Sequence, residues 1–246
     1  MPGNTRNVGL ARALSKLGYC SRSQAFELIK AGRVTLNGAI QRDPEYPVDL
    51  PRDRIEVDGA LVGTAEKTYL MLNKPRGLVT TRSDEQGRPT IYDRLEGGLP
   101  WLAPVGRLDK ASEGLLLLTN DSEWAAHILA PATHLEKTYH VQIGSLADDE
   151  LLAKLENSIR AREGDLLRVK RARVLRQGSR NSWLEVVLDE GKNRHIRRIL
   201  EQLGVEVLRL VRVAIGPLRL GELPKGQYRA LSPAEKRSLD AAMRQS

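Results

Sequence analysis

The sequence predicts an α+β protein in two parts: a small basic N-terminal module, then a larger domain of mixed strands and helices. Three observations carry this. Strand-like and helix-like segments interleave without the regular βαβ alternation of a parallel α/β sheet. The charge changes sign early: Met1 to Gln41 holds six cations (Arg6, Arg12, Lys16, Arg22, Lys30, Arg33) against Glu27 alone, while Arg42 to Gly63 holds six acids against three arginines. Near Gly63–Lys67 (GTAEK) the pattern changes again. The expected limits are 1–63 for the module, 64–67 for a linker and 68–246 for the larger domain.

Each element has a local cause. Leu10, Leu14 and Leu17 recur at i, i+4 and i+7, which predicts a short amphipathic helix stopped at Gly18. Ser21 and Gln24 form a capping-box pattern. The helix they open is expected to bury Phe26 and Ile29 and to end at Gly32. RVTLNG reads as a strand running into an Asn37-Gly38 hairpin turn, and RIEVDGALV as a hairpin about Asp58-Gly59. In the larger part TYLMLNKP reads as a buried strand ended by Pro75, and GRPTIYDRL as a loop and a helical turn. LLLLT reads as a central strand. Asn120 with Glu123 is expected to cap a helix through Trp124, Ile128 and Leu129, ended by Pro131. EKTYHVQIG, LRVKRARVLRQ and SWLEVVLDEG read as strands, and DDELLAKLENSI and RHIRRILEQLG as helices. VLRLVRVAIGPLRLG reads as a strand pair, and Ser232, Pro233 and Glu235 open a last helix.

Composition narrows the chemistry. The net charge of +8 favours a polyanionic partner, nucleic acid above all. One cysteine, Cys20, allows no internal disulfide, and no stretch reaches about 18 apolar residues, so a cytoplasmic, membrane-free protein is expected. No P-loop and no GxSxG elbow occurs, and His127, His134, His140 and His195 lack zinc-ligand spacing. An enzyme here is expected to work without cofactor, metal or thiol.

What remains is a carboxylate, a tyrosine and arginines. In PVGRLDKASEGLLLLTND, Asp109 sits between Arg107 and Lys110 just before the leucine strand. It reads either as a turn-capping aspartate or as a reactive group anchored by a rigid strand. Tyr139 reads as a core aromatic or as a ring that stacks on a base. Lys192 to Arg198 holds four cations and no acid. On a helical wheel Arg194 and Arg198 share the outer face, whereas Arg197 borders the apolar face and can reach a carboxylate in a cleft.

GRLDKASEGLLLLTND, EKTYHVQI and EGKNRHIRRILEQLG resemble the three signature segments of the RsuA/RluB-type ribosomal RNA pseudouridine synthases, in the same order. YLMLNKPRGLVTT resembles their opening strand, and LARALSKLGYCSRSQAFELIKAGRVTLNG resembles the S4 RNA-binding domain that precedes it. One departure is His195, where relatives often carry Gln. The resemblance implies a mixed, mainly antiparallel sheet with flanking helices and a central cleft. It implies Asp109 as nucleophile, Tyr139 stacked on the target base, Arg197 paired with Asp109 to hold it ionised, and Arg107 holding RNA with the base flipped out. Lys74, Lys192, Asn193, Arg194 and Arg198 would contact RNA near the site, and Arg12, Arg22, Lys30 and Arg33 would do so from the N-terminal module. The expected partner is ribosomal RNA or a ribosomal subunit precursor, met by a monomer, with 23S RNA favoured over 16S. A non-catalytic RNA-binding assembly factor and a DNA-binding protein are the competing readings.

Overall fold

A computed structural model describes residues 7–82, 84–95, 97–160 and 164–244. The chain forms two compact units. One comprises Met1–Tyr69, Gly97–Ala103 and Leu118–Ala125; the other comprises Leu70–Glu96, Pro104–Leu117 and Ala126–Ser246.

In the first unit the order is β1 (Val8–Gly9), α1 (Leu10–Lys16), α2 (Arg22–Lys30), β2 (Val34–Leu36), β3 (Ala39–Ile40), β4 (Pro47–Val48), β5 (Ile55–Val57) and β6 (Ala60–Leu61). β2, β3, β5 and β6 make a small antiparallel sheet in the order β3-β2-β5-β6, and β1 pairs with β4. Leu10, Leu14, Ile29, Val34 and Val57 fill its core. The capping box holds: the Gln24 N–H donates to Ser21 Oγ at 3.1 Å and the Ser21 N–H donates to Gln24 Oε1 at 3.2 Å. Both hairpin turns carry left-handed pairs, Asn37-Gly38 (φ 53° and 85°) and Asp58-Gly59 (φ 51° and 78°), as type I′ geometry requires. Phe26 corrects the expectation. Ala25 and Ile29, one helical turn apart, take the inner face of α2, so Phe26 points out, 45% exposed, under the Lys30 ammonium.

The larger sheet uses β7 (Tyr69–Lys74), β8 (Ala103–Val105), β9 (Glu113–Thr119), β10 (Lys137–Ile143), β13 (Arg171–Gln177), β14 (Ser182–Leu188), β15 (Val207–Ile215), β16 (Leu218–Arg219) and β17 (Tyr228–Ala230); β11 (Ile159–Arg160) and β12 (Leu166–Leu167) form a separate pair. Its order is β13-β14-β10-β15-β9-β7-β17, with β16 on β15 and β8 on β9. The β15–β9 ladder is parallel, and the ladders of β10, β13, β14, β16 and β17 are antiparallel. The sheet is thus mixed and mainly antiparallel, as expected. Every residue of β9 is buried, which is why LLLLT lacks alternation.

Among the described residues, the α-helices that follow are α3 (Ser122–Leu129), α4 (Asp149–Glu156), α5 (His195–Gln202) and α6 (Pro233–Arg244). Ile196, Ile199 and Leu200 of α5 join Val141, Leu184, Val186 and Leu210 of the sheet in one core. The cap of α3 differs from expectation by one residue. Asp121 Oδ1 accepts from the Trp124 N–H at 3.1 Å, while Asn120 accepts from the Thr68 N–H and donates to the Glu66 carbonyl. Asn120 satisfies the backbone between the expected linker and β7 instead.

Candidate active site

Asp109 lies in the loop between β8 and β9, and that loop is tied down at nearly every residue. Thr80 Oγ1 donates to the Leu108 carbonyl at 2.7 Å. The Gly77 N–H donates to the Lys110 carbonyl at 2.8 Å, and the Ser112 N–H closes a turn onto the Asp109 carbonyl at 2.9 Å. Lys74, at the end of β7, donates to the carbonyls of Pro75, Asp109 and Ser112 at 3.2, 3.1 and 2.9 Å. Lys74 has no exposed surface. Burial pulls its ammonium down to about 8, against the opposing fields of Asp109 and Glu113. The expected RNA contact by Lys74 is therefore corrected: the side chain is fully buried, with two hydrogen bonds to carbonyls of the Asp109 loop and one to the Pro75 carbonyl.

Behind the loop, Glu113 and Gly114 pair with Val211 and Arg212 of β15. Gly114 has φ 102°, and a Cβ there would overlap the Arg212 carbonyl oxygen. Glycine is what lets the two strands close behind Asp109. Burial pushes the Glu113 carboxyl up, but hydrogen bonds from Arg209 and Lys225 outweigh this and hold it below its ordinary value.

The loop opens on a cavity of about 870 Å³ whose lining includes Arg107, Asp109, Tyr139, Arg194, His195 and Arg212. Tyr139 serves both readings at once: it packs against the core below and lines the cavity above. Arg107 is exposed and makes no ion pair among the described residues. Arg194 caps α5 in the left-handed conformation (φ 47°) and brings Nη1 to 3.9 Å from Asp109 Oδ2.

Arg197 is placed differently from the expected direct pair. Its Nη2 donates to the Ala111 carbonyl at 3.1 Å, and its buried Nε meets no acceptor among the described residues. Burial, then Arg194, draw the guanidinium below its ordinary value, with Asp109 acting in the opposite direction. Among the described residues, the cation within 4 Å of the Asp109 carboxylate is Arg194, and Arg197 braces the loop two residues further on.

Two more of the expected RNA contacts are engaged inside the chain. Lys192 donates to the Leu166 carbonyl at 2.8 Å and pairs with Glu190 at 2.7 Å. Arg198 pairs with Asp165 at 2.8 Å. Asn193 is exposed on the cavity rim. In the N-terminal module, Arg12, Arg22, Lys30 and Arg33 are all exposed, but Arg33 is held by both carboxylate oxygens of Asp58.

Sequence reasoning passed over Arg212 and Lys137. Arg212 is 6% exposed; its Nε donates to the Leu115 carbonyl at 2.8 Å, and its Nη2 meets no acceptor among the described residues. Burial, reinforced by Arg212, lowers the Lys137 ammonium. A signal existed: in VLRLVRVAI, Arg212 falls on the same parity as buried Leu210 and Ala214, where an arginine has no business unless something holds it.

The cavity thus gathers the Asp109 carboxylate, the Tyr139 ring and the cations Arg107, Arg194 and Arg212, with Asp189 and Glu190 also in its lining, and the Asp109 loop is held by hydrogen bonds to its backbone. Comparison with known proteins agrees with this chemistry. Residues 68–202 match the RNA pseudouridylate synthase family, and residues 8–55 match the S4 domain. An RNA pseudouridine synthase of Rickettsia prowazekii is 40% identical over 224 residues, covering 91% of this chain and 94% of that protein. The ribosomal large subunit pseudouridine synthase B of Bacillus subtilis is 36% identical over 233 residues, covering 94% and 95%. A crystal structure of a pseudouridylate synthase aligns with a TM-score of 0.67 at 30% identity, over 94% of this chain and 99% of that one. With a whole-domain match and relatives alike over nearly their full length, this chain belongs to the RNA pseudouridine synthase family.

Proposed function

We propose that this protein isomerises a specific uridine of large-subunit (23S) ribosomal RNA to pseudouridine, with Asp109 as the reacting carboxylate. The observation that carries the reading is the anchored loop: Lys74, Thr80 and Arg197 hold its carbonyls while the Asp109 side chain, one-third exposed, faces a cavity wide enough for a nucleoside. The large-subunit assignment is supported by the Bacillus subtilis relative and by a Shigella flexneri relative of the same name, 36% identical over 234 residues.

The reaction breaks the N1–C1′ bond of uridine, turns the uracil and rejoins it through C5, releasing the C5 proton. The base must first leave its stack, at a cost of a few kcal/mol. Stacking on Tyr139 returns about 1–3 kcal/mol of this. Attack at C1′ and proton removal at C2′ both start from an Asp109 carboxylate beside the ribose. Arg194, at 3.9 Å, screens its charge, and Arg107 is free to grip the flanking phosphate. Detaching uracil leaves negative charge on the base, and the half-satisfied guanidinium of Arg212 supplies a fixed donor for it.

The test is tritium release from ribosomal RNA labelled at uridine C5, with each subunit's RNA assayed separately. Wild type should release tritium from 23S RNA, and Asp109→Asn should be slower by roughly 10³-fold or more while still binding RNA. Release by Asp109→Asn at the wild-type rate would remove Asp109 from the chemistry. Release from 16S RNA alone would overturn the choice of subunit.

A further inference from the structure

The sheet has a second face, and its side chains are not used by the chemistry above. Tyr139 faces the cavity, so its neighbours His140 and Gln142 point to the other side. Strand registers set out two rows there. One runs Arg173, Glu185, His140, Val211 across β13, β14, β10 and β15; the other runs Arg176, Trp183, Gln142, Arg209. A bulge in β13 between Val174 and Arg176 turns both Leu175 and Arg176 toward this face. The result is a shallow cavity of about 370 Å³ lined by His140, Leu175, Arg176, Trp183, Arg209 and Val211.

Its chemistry is specific. The Trp183 ring lies beside two guanidinium groups, Arg176 at 5.2 Å and Arg209 at 5.6 Å. From Leu167 to Asn181 the chain carries six cations (Arg168, Lys170, Arg171, Arg173, Arg176, Arg180) and no acid. Glu185 offsets Arg173, and Glu113 offsets Arg209. Arg171, Arg176 and Arg180 are exposed and make no ion pair among the described residues. Leaving three arginines of one segment unneutralised, two on β13 and Arg180 in the turn after it, repels any cationic partner. It favours a polyanion.

We propose that this face is a second RNA-binding surface, separate from the catalytic cavity, which takes a single-stranded stretch of RNA. Phosphates lie along Arg171, Arg176 and Arg180, and one base packs into the cavity against the Trp183–guanidinium stack. Bases stack on aromatic rings and on arginine planes alike. A protein partner would need an apolar centre. Here Leu175 is the large exposed apolar side chain, among arginines. The proposal extends the RNA-modifying reading and rests on it for the identity of the natural strand.

The probe is a 20-nucleotide oligouridylate, bound to Asp109→Asn protein so that no turnover intrudes, with affinity read by fluorescence anisotropy over a salt series. The double variant Arg171→Glu/Arg176→Glu should bind about tenfold more weakly, and its salt slope should fall by about 1.4, the value for two lost phosphate contacts on a single strand. Trp183→Ala should weaken binding by about tenfold with the slope unchanged. Arg176→Lys, which keeps the charge and the fold, should bind within about threefold of the parent. In the wild-type background, the charge-reversed protein should keep full tritium release from the shortest active ribosomal RNA fragment. Unchanged oligouridylate affinity in the double variant overturns the proposal. So does loss confined to a purified ribosomal protein with oligouridylate binding intact, which assigns the face to a protein. Absence of tritium release in wild type would count against the uridine-isomerising reading alone, because the oligouridylate assay does not depend on it.

Discussion

Two sets of cations in this molecule use the same side chains for opposite ends. Around Asp109 they turn inward. Lys74 is fully buried, Arg212 nearly so and Arg197 half so, and each donates to a backbone carbonyl in the Asp109 loop or the strand behind it. In the N-terminal module Arg12, Arg22 and Lys30 stand in water on the polar faces of α1 and α2. A buried ammonium or guanidinium costs several kcal/mol unless its hydrogen bonds are met. A solvated one costs little and releases counterions when a phosphate arrives. The lesson is that charge near an active site is not by itself a substrate contact. Where the cation is buried on carbonyls, it holds the Asp109 loop in place.

The largest effect expected from breaking this division is at Lys74. Lys74→Met removes the donor to three carbonyls, including that of Asp109. The turnover number should fall on the order of 10²-fold, as for a misplacement of about 1 Å. RNA affinity should stay within about threefold of wild type; a tenfold loss of affinity would make Lys74 a substrate contact after all. The same residue leaves a mark on stability. Its folded pKa of about 8 lies below the ordinary lysine value of 10.5, so between those pH values the unfolded chain holds the proton more often than the folded one. This group's contribution to stability therefore rises with pH across that window, by up to roughly 3 kcal/mol. Denaturant titrations at pH 8 and pH 10 should show the rise in wild type and lose it in Lys74→Met.

Arg212 sharpens the contrast from within the cavity. Arg212→Met keeps the volume but removes both the bond to Leu115 and the spare Nη2. Its kcat/KM for RNA should drop roughly 10- to 100-fold, with the loss in kcat. A loss confined to KM would move Arg212 to ground-state binding.

What could be read from the sequence follows the same boundary between local and tertiary causes. The capping box at Ser21–Gln24 and the turns at Asn37-Gly38 and Asp58-Gly59 were legible because each needs only residues a few positions apart. The α5 face of Ile196, Ile199 and Leu200 was legible from its period. Phe26 was misplaced because α2 had two candidate inner faces, and the phase was decided by what Ala25 and Ile29 pack against. Asn120 was misread because its partners, Thr68 and Glu66, lie some fifty residues away. In the site, Asp109 and Tyr139 stood out by motif. The division of labour among Lys74, Arg194 and Arg197 did not, because three cations near one loop look alike until geometry shows which of them meets a carboxylate and which a carbonyl.

The smallest expected effects fall on the exposed set. Arg12→Glu and Lys30→Glu should each weaken RNA binding about three- to tenfold, with the salt slope falling by roughly 0.7 to 0.9 per lost phosphate contact. Arg33→Ala should do less than either, because Asp58 already holds both ends of its fork and an RNA phosphate would have to displace it. None of the three should change the turnover number at saturating RNA. That last condition is the one that can break the comparison. These side chains belong to a different compact unit from Asp109, so a fall in turnover would mean that the module does more than hold RNA. An unchanged turnover with graded losses of affinity, ordered Arg12 and Lys30 above Arg33, would show that a cation's worth to RNA is set by what already neutralises it.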